Sequence, residues 1–268
     1  MTINANCKYK YKCIEHLLAE SKLILKGTPK ACESACNTCD LGLQLKAQTL
    51  SIMSHELLTP LSGIIGTTEL ALDNDLPREA RELIFMARTS ALDLLNIIQD
   101  MLLLSKIVAG NLSLVPDSIS PWQLLEGDWP SLLENAQHKR LSLTLNLAAD
   151  LPPLVTVDVN LLRRVLLILI GNAIKFTEQG GVTVRVERPG LAERGLHICV
   201  ADTGIGIKPE KLESIFAPFI QADSGLARKY NGLGIGLAIA WRLVDLMGGE
   251  LVVDSEFGKG SRFHVFLP

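Results

Sequence analysis

The segment Ser54-His55-Glu56-Leu57-Leu58-Thr59-Pro60 lies inside a helical pattern of apolar residues. At ~100° per residue, His55 points away from the stripe made by Met53 and Leu57, and Thr59 and Ser62 lie within a turn of it on the same outward face. An exposed imidazole can act as a nucleophile through one ring nitrogen. The adjacent Glu56 carboxylate can accept a hydrogen bond from the other and strengthen that role. An ordinary surface histidine satisfies the same pattern. Pro60 cannot donate to the carbonyl of Glu56, so it either kinks the helix just past His55 or ends it.

Two glycine clusters carry a different chemistry. Asp202-Thr203-Gly204-Ile205-Gly206-Ile207 follows a strand pattern. There a carboxylate can accept from an exocyclic amine such as that of adenine, and glycines let backbone approach a flat ligand. Gly232-Leu233-Gly234-Ile235-Gly236-Leu237 runs into a helical pattern, whose free N–H groups favour phosphate. Neither cluster is a Walker loop or a dinucleotide fingerprint. A third feature is Asn172 in Asn172-Ala173-Ile174-Lys175-Phe176-Thr177, which interrupts an apolar helical run. Its amide is either hydrogen-bonded in a core or facing a ligand, and an amide oxygen suits Mg²⁺ shared with phosphates. Lys175 lies near the same face.

Five of the six cysteines fall in the first 39 residues. Cys32-x3-Cys36-x2-Cys39 with Cys13 can supply four thiolates for Zn²⁺ or an iron–sulfur cluster, with Cys7 and His16 as alternative ligands. Independent thiols are the alternative reading. Cys199 stands alone in an apolar strand pattern and reads as buried.

These groups need elements to hold them. Residues 1–40 form a Cys-rich head, a possible metal or redox input. Residues 41–115 read as a hairpin of two helices, 41–72 and 78–108, separated by Asp73-Asn74-Asp75-Leu76-Pro77. Apolar or small residues at 84, 87, 91, 94, 98, 101, 105 and 108 make a coiled-coil seam, echoed by Leu50, Met53, Leu57, Leu61 and Ile64. One hairpin cannot cover so wide a stripe, which leaves a hairpin packed on its neighbour or, the favoured reading, a four-helix bundle built by dimerisation. Residues 120–268 mix strands (141–147, 182–186, 196–201, 251–255, 262–267) with helices (158–176, 233–247). The fold class is α+β: a helical hairpin, then a two-layer α/β sandwich with a mixed sheet.

A net charge of −3 gives no nucleic-acid footprint, and no apolar run reaches the ~18 residues of a membrane span. The N-terminus has no signal-peptide core, so a cytoplasmic location is expected.

Taken in order, these motifs resemble the sensor histidine kinases of two-component signalling. The sequence around His55 resembles the phospho-acceptor box, Asn172 to Thr177 the asparagine box, and Asp202 to Gly206 the first glycine box. Ile215-Phe216-Ala217-Pro218-Phe219 resembles the phenylalanine box and Gly232 to Leu237 the second glycine box. The resemblance implies a homodimer and an ATP-binding sandwich like that of gyrase, the ninety-kilodalton chaperones and mismatch-repair ATPases. It implies that ATP phosphorylates His55 with Glu56 as general base, and that the phosphate passes to the Asp of a separate response regulator receiver domain. Thr59 would position water for the reverse removal of phosphate from that partner. Asp202 would read adenine, Asn172 would hold Mg²⁺, and Lys175 would approach the phosphates. Phe176, Gly204, Gly206, Phe216, Gly232, Gly234 and Gly236 would complete the nucleotide site, with residues 208–231 as a lid.

Two positions depart from the family. Leu58 replaces the usual Arg or Lys, and Ile168 the first Asn of the asparagine box. An exposed Leu58 would be a partner contact, and Ile168 would weaken Mg·ATP binding. They support the alternative of a degenerate kinase that regulates another histidine kinase by mixed dimers. A sensor protein acting in trans is a further expected partner.

Overall fold

The computed structural model describes residues 57–188, 195–219 and 234–268. The expectations for the Cys-rich head (Cys13, Cys32, Cys36 and Cys39 included), for His55 and Glu56, and for Gly232 lie outside the described residues.

Helix α1 is continuous over residues 57–72. It therefore runs through Pro60, and the reading in which that proline ends the helix is set aside. At its far end Arg81 closes the turn: its guanidinium donates to the carbonyls of Leu72 and Asn74, each at 3.0 Å. Helix α2, Arg78–Val108, starts directly after Pro77, whose fixed φ suits a helix entry. The helices pack through buried Leu61, Ala91 and Ile98, flanked by Leu58, Ile65, Leu95 and Leu102.

This packing corrects one expectation. Leu58 is part of the hairpin seam rather than an exposed partner contact, because it faces α2 together with Leu61 and Ile65. The apolar stripe is also split lengthwise. On α2, positions 91, 98 and 105 are buried and 84 is half-buried, whereas 87, 94 and 108 are exposed. On α1, Leu57 and Ile64 remain 52% and 49% exposed.

The sandwich begins with β1 (Asp117–Ile119), α3 (Gln123–Glu126) and α4 (Trp129–His138), followed by β2 (Ser142–Leu147) and β3 (Val155–Val157). Then come α5 (Val159–Phe176), β4 (Gly181–Glu187), β5 (Leu196–Asp202), α6 (Pro209–Leu212), α7 (Gly236–Leu246), β6 (Glu250–Glu256) and β7 (Gly260–Leu267). Strands β1 and β3 form a small antiparallel pair. The main sheet has the order β2-β4-β5-β7-β6, parallel only between β2 and β4. Across it Val184, Val200, Phe263 and Val253 stand in register on one face. That face meets α5 through Leu162, Leu166, Leu169 and Ile170 and α7 through Ile239, Leu243 and Val244, all fully buried. The alternation along the strands is what places these residues on one side of the pleat.

Asp158 joins the hairpin to the sandwich. Its Oδ1 accepts from the Leu161 N–H at 3.0 Å, capping α5, while Oδ2 accepts from the Val115 N–H at 2.9 Å and pins the linker. Arg164 of α5 also pairs with Asp100 of α2. Among the described residues, no helix is long and apolar enough to cross a membrane.

Candidate nucleotide site

The last turn of α5 carries Asn172, Lys175 and Phe176, all half-buried. The Asn172 amide takes no protein partner among the described residues. Burial pushes the Lys175 ammonium below its usual range. Nearby Asp93 of α2 opposes the shift and the charge of Lys139 adds to it. Lys175 Nζ lies 5.3 Å from the Phe176 ring centroid.

Strand β5 delivers Asp202 beside this turn. Its Oδ1 accepts from the Gly204 N–H at 2.8 Å and from the Ser261 N–H at 3.3 Å. Its other oxygen takes no partner among the described residues, so one carboxylate oxygen is fixed and the other is open. Burial pushes the carboxyl above the ordinary carboxylate range, and the two amides pull it back. The following loop lies directly on the helix end: the Ile205 N–H donates to the Phe176 carbonyl at 3.3 Å. A Cβ at Gly204 would meet that same carbonyl oxygen at 2.5 Å, so only glycine permits the approach. Gly206 has φ +64°. Beyond it the Ile207 N–H donates to Ser255 Oγ at 2.8 Å and the Ile205 carbonyl accepts from the Gly258 N–H at 2.7 Å.

The third side is the start of α7. Gly234 (φ +68°) accepts from the Phe219 N–H at 3.2 Å, and Gly236 is the first residue of the helix. A Cβ at Gly236 would stand 3.2 Å from Ile168 Cγ2, so α7 begins against α5 one turn before Asn172. Phe216 packs on the sandwich core behind buried Ile215. The arrangement thus gathers a half-open carboxylate, an amide without a partner among the described residues, a partly desolvated ammonium and glycine-lined backbone around one end of α5. It suits a flat amine-bearing base joined to an anion.

Residues 157–268 match the histidine kinase-, DNA gyrase B- and HSP90-like ATPase family, and residues 45–110 match the His kinase A phospho-acceptor domain. The chain carries the two domains of the histidine kinase family. It is 40% identical over 224 residues to the signal transduction histidine-protein kinase BarA of Escherichia coli, a match that takes in 82% of this chain and 24% of BarA. It is 37% identical to the sensor histidine kinase RcsC of Escherichia coli, over 84% of this chain and 23% of RcsC. The chain therefore spans about a quarter of the length of these curated relatives. Among solved structures, full-length ShkA in complex with AMPPNP is similar at TM-score 0.68 and 32% identity, covering 82% of this chain and 45% of that one. The Acinetobacter baumannii histidine kinase AdeS shares the fold at TM-score 0.56.

Of the expected site residues, Asn172, Lys175 and Phe176 lie on α5, Gly204, after Asp202, and Gly236 approach it, and Gly206 and Gly234 sit in the adjoining loops. Thr59 is exposed on α1, a separate element. Sequence reasoning missed the Ser261 N–H, which shares Asp202 Oδ1, and Lys139, whose ammonium reaches the end of α5. Neither has a local signal, since each partner lies more than thirty residues away in the chain.

Proposed function

We propose that this chain is a protein-histidine autokinase core. In this reading residues 41–115 dimerise and present His55, residues 120–268 bind ATP, and residues 1–40 are an input head. Asp202 accepts from the adenine amine through its open oxygen, while Gly204 and Gly206 let the loop lie against the base. Lys175 approaches the phosphates. The N–H groups at the start of α7, around Gly234 and Gly236, face the phosphate chain.

The half-buried Asn172 amide fits one position of a Mg²⁺ shell otherwise filled by water and phosphate, as that ion prefers. When bound, Mg²⁺ neutralises phosphate charge. In the transfer a bond forms between a His55 ring nitrogen and the γ-phosphorus. The bond from that phosphorus to the β–γ bridging oxygen breaks, ADP departs with the electron pair, and Glu56 takes the ring proton. Alignment and charge do most of this catalysis. The phosphate then passes to the Asp of a response regulator, and Thr59, one helical turn beyond His55, positions water for the phosphatase direction.

The observation that carries the reading is the half-satisfied Asp202 carboxylate set among glycines at the end of α5. Calorimetric titration with Mg·ATP tests it. The Asp202→Asn chain should bind about a hundredfold more weakly, the scale for leaving a charge-assisted hydrogen bond unmade. Equal binding by both chains would contradict it.

One observation favours a second reading. The Ile168 methyl group sits against the start of α7, where a polar group would lie close to the phosphates. A regulatory module that pairs with another kinase would show no ATP binding in the same titration.

A further inference from the structure

The last four carbonyls of an α-helix have no partners within the helix, and when buried each needs a donor from elsewhere. At the end of α5 these are Ala173, Ile174, Lys175 and Phe176. Each has a named donor. Thr177 Oγ1 donates to the Ala173 carbonyl at 2.7 Å, and the Ile205 N–H donates to that of Phe176 at 3.3 Å. The other two are held by one side chain: Lys139 Nζ donates to the Ile174 carbonyl at 2.9 Å and to the Lys175 carbonyl at 2.7 Å.

The sequence has the means to aim that ammonium. Lys139 is the residue after α4. The chain there is locked by two bonds to the Ala136 carbonyl, from the Lys139 N–H at 3.1 Å and the Leu141 N–H at 2.9 Å, with Arg140 between them at φ +58°. A cation beneath the carbonyl end of a helix is also favoured by the helix dipole. The turn it supports bears Lys175, and its final carbonyl anchors the loop that follows Asp202.

We propose that Lys139 is a positioning residue for the nucleotide site: its ammonium holds the last turn of α5, and through it both Lys175 and the Asp202 loop, in binding geometry. This rests on the nucleotide reading given above. Lys139 touches no nucleotide; it acts through the carbonyls.

The test is the dissociation constant for Mg·ATP in the full chain, measured by calorimetry beside melting curves, for wild type, Lys139→Met and Lys139→Arg. Lys139→Met should weaken binding about tenfold, the scale of one lost charge-assisted hydrogen bond. Lys139→Arg, which keeps two N–H donors and the charge, should restore binding to within roughly twofold. In autophosphorylation Lys139→Met should raise KM and leave kcat within roughly twofold, the signature of lost binding rather than lost chemistry. If Lys139→Met does not melt cooperatively, the arginine variant decides: near-wild-type affinity supports the role, and a tenfold loss in a chain that melts like wild type overturns it. Wild type that binds ATP while Lys139→Met binds equally well overturns this inference alone. Wild type that binds no ATP overturns the nucleotide reading and this inference with it.

Discussion

The hairpin and the sandwich bury themselves very differently. Between α1 and α2 the buried apolar residues among those described are Leu61, Ala91 and Ile98, while Leu57, Ile64, Leu83, Phe85, Met86 and Leu94 stay open to solvent. In the sandwich a continuous core runs from Leu124 to Leu267 and encloses the whole inner faces of α5 and α7. A domain that closes its own core can hold a site rigidly, and the candidate nucleotide site lies at the end of α5 beside that core. A hairpin that leaves half of its stripe uncovered is suited to bury that half against a second copy. The same apolar periodicity thus has two outcomes in the hairpin, one half enclosed between its helices and the other left open to solvent.

Breaking the closed core should have the largest effect. Leu166→Ala removes a fully buried side chain of α5 and should cost about 3 kcal/mol of stability in chemical denaturation. Breaking the open stripe should leave the sandwich intact. Leu57→Asp together with Ile64→Asp should turn a dimer into a monomer in sedimentation velocity, a loss of roughly 2 kcal/mol per apolar side chain no longer buried. The melting of the sandwich should not change. If the double variant stays dimeric, the exposed half of the seam is not the association face.

The smallest effect sharpens the contrast at the site itself. Asp202 has its folded pKa raised by burial, so the folded state holds its proton more tightly than the unfolded chain does. The stability it contributes is full below the ordinary carboxylate pKa and is lost as pH rises through the folded value. At neutral pH the charged carboxylate therefore weighs against the empty sandwich. Asp202→Asn should melt slightly higher than wild type at pH 7, with the gap closing in acid. A variant that melts lower at neutral pH would show that the two amide bonds outweigh burial.

Much of this was legible in the residues. The turn at Asp73 to Pro77 and the 3-and-4 spacing placed the second helix at 78–108, and α2 has those bounds. The five strands read from the sequence appear as β2, β4, β5, β6 and β7, each within about two residues of the expected ends. The short β1 and β3 pair and helices α3, α4 and α6 went unread: three-residue strands and four-residue helices give little periodicity, and α4 buries only Leu132 and Ala136. Sequence could not divide the seam either. The stripe read from the sequence runs through Leu57 and leaves Leu58 outside it, and only packing decides which of them meets the other helix of its own hairpin. At the site, Asn172 stood out because a polar group in an apolar run needs a reason, Lys175 because it shares a face with Asn172, and Asp202 because it ends a strand just before alternating glycines. Lys139 and the Ser261 N–H did not, because a lysine in a turn and a backbone amide carry no such mark until the chain folds them against their acceptors.

The most direct test of the whole account is phosphorylation of the full chain by γ-labelled Mg·ATP, with the labelled residue mapped by mass spectrometry under neutral conditions. The account predicts acid-labile label on His55 that disappears in His55→Gln and falls sharply in Asp202→Asn. Label that persists in His55→Gln, or that is indifferent to Asp202→Asn, would contradict it.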